Sequence, residues 1–403
     1  MPAITISDNI FSVGIQHPDR KMFDCLMPTP HGTTYNSYLI SGSEKTALID
    51  TVDYEFVDAY LEKLKNLHVA KLDYIIILHT EQDHSGSVLA VLERYPEAQL
   101  VATANVAKLM ATHMQTPAEQ FQIVEDKGKL SLGDKSLVFH KIPFAHWPDN
   151  TMVFEESSRI LFSSDLFGSH YSSEHVFATE GHEIKEAARA YFAEIMMPFT
   201  AHVVKYVNLV SDMRPRMIAS SHGPVWKDPS VILGYYHRWT SSKVENTVVI
   251  PYVSMHGSTN VIVERLSLRL AGRGVSVLSR NLGDSPESLA VSSGHVMFDL
   301  VMAAAVVFAI PTVLAGPHPA GAYCALLTNA LRPKTKFIGL VGSYGWGTKV
   351  GEVFESLTCG LKNAKRLPTV LITGLPTEED LVGIDEYADL LADQILQLGD
   401  DLL

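Results

Sequence analysis

His79-Thr80-Glu81-Gln82-Asp83-His84-Ser85-Gly86 puts two imidazoles and two carboxylates into eight consecutive residues. The apolar run Tyr74-Ile75-Ile76-Ile77-Leu78 before it predicts a buried strand, and a helix is predicted to open near Ser87. Four metal-competent side chains therefore fall on one short loop at a strand's carboxyl end, where a rigid strand fixes the backbone and the loop turns its side chains inward. A mixed nitrogen and oxygen donor set suits iron or manganese and also accommodates zinc. The competing reading is a polar loop that caps the helix through Ser85 or Asp83. A cap needs one such residue, not four.

The same pattern of apolar segment, ligand and turn recurs downstream. His146 follows Lys141-Ile142-Pro143-Phe144-Ala145 and begins His-Trp-Pro-Asp; Asp165 follows Ile160-Leu161-Phe162-Ser163-Ser164; His222 follows Met217-Ile218-Ala219-Ser220-Ser221 and begins His-Gly-Pro. Strand ends on one edge of a sheet converge in space, so sequence distance does not separate these residues. With 17 histidines in the chain most are ordinary, and His68, His113, His140, His202 and His237 carry no local signal.

At 403 residues the chain is long for one domain and sufficient for two. It carries 32 basic against 45 acidic side chains, a net charge of −13. That balance argues against nucleic acid or an anionic membrane as the main partner. Cys25, Cys324 and Cys359 have no paired spacing, which fits a reducing cytoplasm and excludes a disulfide framework or a CxxC site. The start Met1-Pro2-Ala3-Ile4 has no signal-peptide pattern. The longest apolar run, Leu300 to Ala315, is broken by Pro311 and reads as a buried parallel strand and the turn after it.

The pattern changes near residue 245. Before it, short β-rich segments (46–50, 74–78, 100–103, 137–142 and 160–163) alternate with turns. After it, strands predicted at 248–253, 275–278, 304–310 and 336–341 alternate with helices predicted at 260–271 and 351–361. That alternation predicts a doubly wound parallel sheet. The polar stretch 241–246 reads as the linker, giving domains 1–245 and 246–403. In the second half, Ser254-Met255-His256-Gly257-Ser258-Thr259 joins the first strand to its helix. Hydroxyls, a glycine and a helix N-terminus make a site for a phosphate monoester, although an ordinary strand–helix turn has the same look. Two further strand-end loops, Pro311-Thr312-Val313-Leu314-Ala315-Gly316 and Ser343-Tyr344-Gly345-Trp346-Gly347, fall where such a sheet binds ligand. No GxGxxG fingerprint follows the first strand, which disfavours a dinucleotide.

The pattern HxExDH with His146, Asp165 and His222 resembles the metallo-β-lactamase fold, with a glutamate where zinc hydrolases carry their second histidine. Together with Gly32-Thr33-Thr34-Tyr35-Asn36, Asp50-Thr51, His146-Trp147-Pro148-Asp149, Asp165-Leu166-Phe167-Gly168, Ser221-His222-Gly223 and the second half, the chain resembles the flavodiiron proteins. The resemblance implies an N-terminal metallo-β-lactamase-like αββα sandwich and a C-terminal flavodoxin-like domain that binds FMN through the three loops 254–259, 311–316 and 343–347. It implies two non-haem irons bridged by Asp165, one held by His79, Glu81 and His146 and the other by Asp83, His84 and His222, with no catalytic residue beyond these ligands. Family members differ in whether the residue matching His84 ligates. Three carboxylates against two ferrous ions leave the cluster near +1, and a carboxylate at Glu81 favours the ferric state over what imidazole would give.

The implied activity is reduction of dioxygen to water, of nitric oxide to nitrous oxide, or of both, with electrons passing through FMN. The implied partners are an external donor (rubredoxin, a flavin reductase or a reduced deazaflavin coenzyme) and a second copy in a head-to-tail homodimer or a dimer of dimers. The chain departs from the family pattern in places. Phe23-Asp24-Cys25 stands where many relatives have Phe-His-Gly, Val313 and Leu314 replace residues that are often polar, and Phe192 follows Tyr191 where a second tyrosine is expected. His170 and His256 are candidate neighbours of the metals and the flavin. Two other classes remain: a dinuclear zinc hydrolase with an accessory flavodoxin-like domain, which Glu81 disfavours, and a pure electron carrier, which has no need of seven ligands.

Overall fold

The computed structural model describes residues 3–179, 181–283 and 289–403. The chain forms two compact units. The first contains the chain up to Phe23, Thr29–Phe192 and Phe199–Thr240; the second contains Asp24–Pro28, Ala193–Pro198 and Ser241–Leu403.

The first unit is a sandwich of two sheets. One has seven strands, the other five, made of Lys129–Ser131, Ser136–Lys141, Thr151–Glu155, Ile160–Phe162 and Met217–Ala219. Their inner faces share one core, in which Ile40, Ile49, Ile76 and Val101 of the first sheet meet Leu137, Phe139, Val153 and Phe162 of the second. Leu48, Ile75 and Leu100 are buried on the opposite face of the first sheet. The helices Val57–Asn66, Val88–Arg94 and Ala104–His113 each bury an apolar stripe as well, so strands that read as continuous apolar runs are covered on both sides.

Register places the site. Thr46–Ile49 pairs in parallel with Tyr74–Ile76, and Ile160–Phe162 pairs in parallel with Met217–Ala219, with Phe162 opposite Ala219. His79, Asp165 and His222 each lie three residues past the last strand residue, Ile76, Phe162 and Ala219. Parallel neighbours end at the same sheet edge, so equal offsets bring Asp165 and His222 to one place, and His79 joins them from the other sheet of the sandwich.

The second unit is a parallel sheet in the order Ser276–Asn281, Glu245–Tyr252, Ala303–Ala309, Phe337–Tyr344, with Lys365–Arg366 and Val370–Thr373 both flanking the last. Every residue of Ala303–Ala309 is buried, as the run without polar residues requires of a central strand. Helix Ser258–Gly272 follows the first strand and packs its buried side on Val248, Ile250 and Val307. The stretch 241–246, expected as a linker, is partly inside the fold. Val244 is buried and exchanges backbone hydrogen bonds with Asp401 and Leu403, and the first strand already opens at Glu245. Its polar look comes from the exposed side chains of Ser242 and Lys243.

Two short segments from early in the chain complete the second unit. A Cβ at Gly294 would fall 3.0 Å from both Glu194 Oε1 and Pro28 Cγ, so the glycine permits their close approach. Leu26, Met27, Glu194, Ala290, Gly294, Leu327 and Leu331 line a cavity of about 20 Å³ there. Burial pushes the Glu194 carboxyl up to about 8.

Candidate metal centre and flavin pocket

The loop after Ile76 folds differently from the sequence expectation of a loop leading to a helix near Ser87. A single helical turn, Gln82–Ser85, precedes the helix Val88–Arg94, and neither start has a side-chain cap. The turn directs Asp83 and His84 inward. Ser85 Oγ fastens it by donating to the carbonyls of Thr80 (2.8 Å) and Glu81 (3.1 Å).

All seven expected ligands come together. Asp165 stands between two groups. Its Oδ2 lies 3.7 Å from His79 Nε2 and 3.8 Å from His146 Nε2, while its Oδ1 lies 3.1 Å from His84 Nε2 and 3.4 Å from His222 Nε2. Glu81 Oε2 sits 3.2 Å from His79 Nε2 and 3.3 Å from His146 Nε2. Asp83 approaches His84 Nε2 at 3.5 Å and His222 Nε2 at 3.1 Å. Both Asp83 oxygens, Asp165 Oδ2 and His84 Nε2 are buried without a hydrogen-bond partner. Buried orphans of this kind are costly, and cations among them would satisfy all four. The donor set therefore fits two metal ions.

A surrounding layer aims the imidazoles. His79 Nδ1 lies 3.1 Å from Asp149 Oδ2, which also accepts the Thr80 N–H and hydroxyl at 2.9 Å each. His84 Nδ1 faces Asp50 at 3.5 Å, and Asp50 Oδ1 accepts the Leu78 N–H at 2.7 Å. His222 Nδ1 lies 2.7 Å from the Thr34 carbonyl. Each contact leaves Nε2 facing the cluster. Burial alone would lower the His79 and His222 imidazoles, but neighbouring carboxylates (Asp149 and Glu81 for His79, Asp165 and Asp83 for His222) carry them up to about 10 and about 9. Burial opposes ionisation of Asp165, yet His84 and His222 hold it well below the usual carboxylate range.

Sequence reasoning left the roles of Thr34, Asp50, Asp149 and Tyr191 unassigned. The Tyr191 hydroxyl donates to Asp165 Oδ1 at 3.2 Å. His170 lies beside His222, stacks on Phe23 at 4.4 Å, and has Nδ1 2.8 Å from the Thr33 hydroxyl. Burial, then the charge on His222, pushes His170 well below the usual imidazole range, so it stays neutral.

In the second unit a cavity of about 190 Å³ opens at the carboxyl ends of the strands. Of the expected flavin residues, Met255, His256, Ser258, Thr259, Pro311, Thr312, Ser343, Tyr344 and Gly345 line it, along with Gly374, which sequence reasoning missed because a lone glycine carries no signal. Ser254, Gly257, Val313, Leu314, Ala315, Gly316, Trp346 and Gly347 do not line it. Gly257, at φ +91°, is the N-cap of helix Ser258–Gly272 and gives it no side-chain cap. Nothing lies within 4 Å of where its Cβ would stand. The Ser254 hydroxyl accepts one first-turn N–H, that of Asn260, at 3.2 Å, and the rest of this helix N-terminus, beside hydroxyls, fits a phosphate. Leu314 and Ala315 form the tip of a tight hairpin at φ 50° and 62°, and Leu314 is 94% exposed.

Paired metal positions on a lactamase-type sandwich, followed in the same chain by a flavodoxin-like sheet, define a two-cofactor oxidoreductase class. Residues 33–223 match the family model described as ODP family beta lactamase. An uncharacterized protein of Methanocaldococcus jannaschii is 32% identical over 91% of this chain and 92% of its own length. The anaerobic nitric oxide reductase flavorubredoxin of Salmonella typhi is 30% identical over 90% of this chain and 76% of its own. Among solved structures, rubredoxin oxygen:oxidoreductase from Desulfovibrio gigas superposes with a TM-score of 0.92 at 26% identity, covering 98% of this chain and 99% of that one. The chain belongs to the flavodiiron protein family. Among the described residues no helix is long and apolar enough to cross a membrane.

Proposed function

We propose that this chain reduces dioxygen, nitric oxide or both at a pair of irons held by His79, Glu81, His146, Asp83, His84 and His222 and bridged by Asp165, using electrons delivered through FMN in the second unit. The observation that carries the reading is the division of the ligands between the two oxygens of Asp165. When bound, the irons and the flavin supply the electrons: four with four protons for dioxygen to two waters, two with two protons for two nitric oxides to nitrous oxide and water.

The chain's own groups hold and insulate this chemistry. Asp149, Asp50 and the Thr34 carbonyl fix the imidazole orientations. Tyr191, whose hydroxyl is pushed up by burial and by Asp165, stays protonated as a donor to the bridging carboxylate. Phe23, Tyr35 and neutral His170 pack around His222 and limit water. In the second unit, Ser258, Thr259 and the helix N-terminus would take the FMN phosphate, and Tyr344 and the 311–312 segment would flank the ring system. The exposed Trp346, Leu314 and Leu375 are suited to docking another protein surface, either an external donor or a second copy in a twofold pair. Three unpaired cysteines support a reducing, cytoplasmic setting.

Metal and flavin content, with gas consumption under an added reductant, test the reading. We expect two irons and one FMN per chain and turnover of at least one of the two gases. Stoichiometric zinc without iron or flavin would instead favour a hydrolase.

A further inference from the structure

We propose that the two metal positions fill and empty in a fixed order: the position of Asp83, His84 and His222 is first in and last out, and that of His79, Glu81 and His146 is last in and first out. The inference rests on the two-metal reading above. Ligand identity does not distinguish the positions, since each has two imidazoles, one carboxylate of its own and one oxygen of Asp165. Access and anchoring do.

Solvent reaches the cluster on one side. The side chains of Asp83, His84 and His222 are 7%, 2% and 3% exposed, and His79 and Asp165 are as deeply buried. Glu81 and His146 are 17% and 20% exposed. An ion bound for the inner position therefore passes the Glu81–His146 edge, and an ion already at that edge closes the way behind it. Departure runs in reverse.

The inner ligands are also held harder. His222 is fixed through Nδ1 to the Thr34 carbonyl, and its own carbonyl accepts the Ser220 hydroxyl at 2.8 Å and the Ser169 N–H at 3.2 Å. His84 faces Asp50, and its carbonyl accepts the Thr51 N–H at 2.7 Å and hydroxyl at 2.8 Å. In the outer group only His79 is backed through its ring, by Asp149. Among the described residues the Glu81 carboxylate pairs only with His79 and His146, although its carbonyl accepts the His84 and Ser85 N–H groups at 2.9 Å each and the Ser85 hydroxyl at 3.1 Å, and His146 Nδ1 has no hydrogen-bond partner. Backing contacts of this kind typically change metal affinity by roughly 10–100-fold. Three of the four buried orphan atoms, both Asp83 oxygens and His84 Nε2, also belong to the inner group, so the first ion gains most by settling there.

The test uses the full chain loaded anaerobically with two equivalents of Co2+, whose visible bands report its coordination. Excess EDTA should remove the metal in two phases of equal size, with rates at least ~10-fold apart. Protein stopped after the first phase and given one Zn2+ should retain its slow Co2+ spectrum. His146→Ala should lose the fast phase and keep one slowly released Co2+, whereas His222→Ala should lose the slow phase. A single phase in the parent protein would overturn the order, as would a slow phase that survives in His222→Ala and vanishes in His146→Ala. Failure of the parent to bind two Co2+ would overturn the two-metal reading, and the order with it.

Discussion

The candidate metal centre and the candidate flavin pocket are built on opposite principles. The centre of the first unit is made of charged side chains, most of them buried, with His79, His84 and His222 aimed by a layer of partners. The pocket of the second unit is made of strand-end loops: two glycines, a helix N-terminus, small hydroxyls and the larger Met255, His256 and Tyr344, with no acidic or basic cluster among its lining residues. The first gains specificity from ligand chemistry and rigidity, while the second gains it from shape and a field of N–H groups. One altered atom should therefore disable the centre, whereas the pocket should tolerate small changes and fail when charge is introduced.

Asp165→Asn should show the largest effect. It removes the charge between the two groups while keeping the side chain's size, so gas reduction should fall by at least on the order of 100-fold, with iron loss and FMN retained. Metal analysis and flavin absorbance read both at once, and unchanged iron content and activity would break the contrast. Ser258→Asp comes next. A carboxylate at the phosphate subsite should weaken FMN by roughly 10–100-fold through like-charge repulsion while iron stays bound. Ser258 suits this test better than Thr259, which is buried and lies 3.1 Å from the Ser343 hydroxyl. Flavin titration checks it, and parent-like affinity would remove the 254–259 loop from the phosphate site.

Asp149→Asn probes the second layer alone. Because Asn offers a neutral oxygen to the three donors that now share the charged Asp149 Oδ2, metal affinity should drop by about 10-fold, with folding intact by circular dichroism. The smallest effect lies outside both sites. Glu194 has its folded-state pKa raised from 4.5 to about 8 by burial. The folded chain thus holds a proton that the unfolded chain releases across that window, and stability is lost as pH rises through it. Glu194→Gln should raise Tm by about 3–5 °C at pH 9 and hardly change it at pH 4. A pH-independent difference would show that the carboxyl is not desolvated.

The seven side chains that cluster in the first unit stood out in the sequence because they sit on loops that directly follow apolar runs, a signal contained within a few residues. The two-unit architecture was legible from the change to regular strand–helix alternation. What aims the ligands was not. Thr34 lies 188 residues from His222, and Asp149 lies 70 from His79, and such pairings exist only once the strands are in register. The loop 311–316 was expected at the ligand, yet only Pro311 and Thr312 line the cavity, because a tight turn at Leu314 and Ala315 projects the tip outward. Nothing in the composition of 24–28 or 193–198 marks them as part of the second unit.

Those two segments make the second unit a poor candidate for transplantation. A gene fragment cut at the visible boundary before Ser241 would encode the whole parallel sheet yet leave out the pieces carrying Leu26, Met27 and Glu194. The helices around Gly294 and Leu327 would then present a raw apolar scar, which favours aggregation. Recombination that moved this half alone would need compensating polar substitutions there. The order of synthesis matters as well: the segments leave the ribosome well before the sheet they complete, so this half of the chain assembles from parts made at three different times.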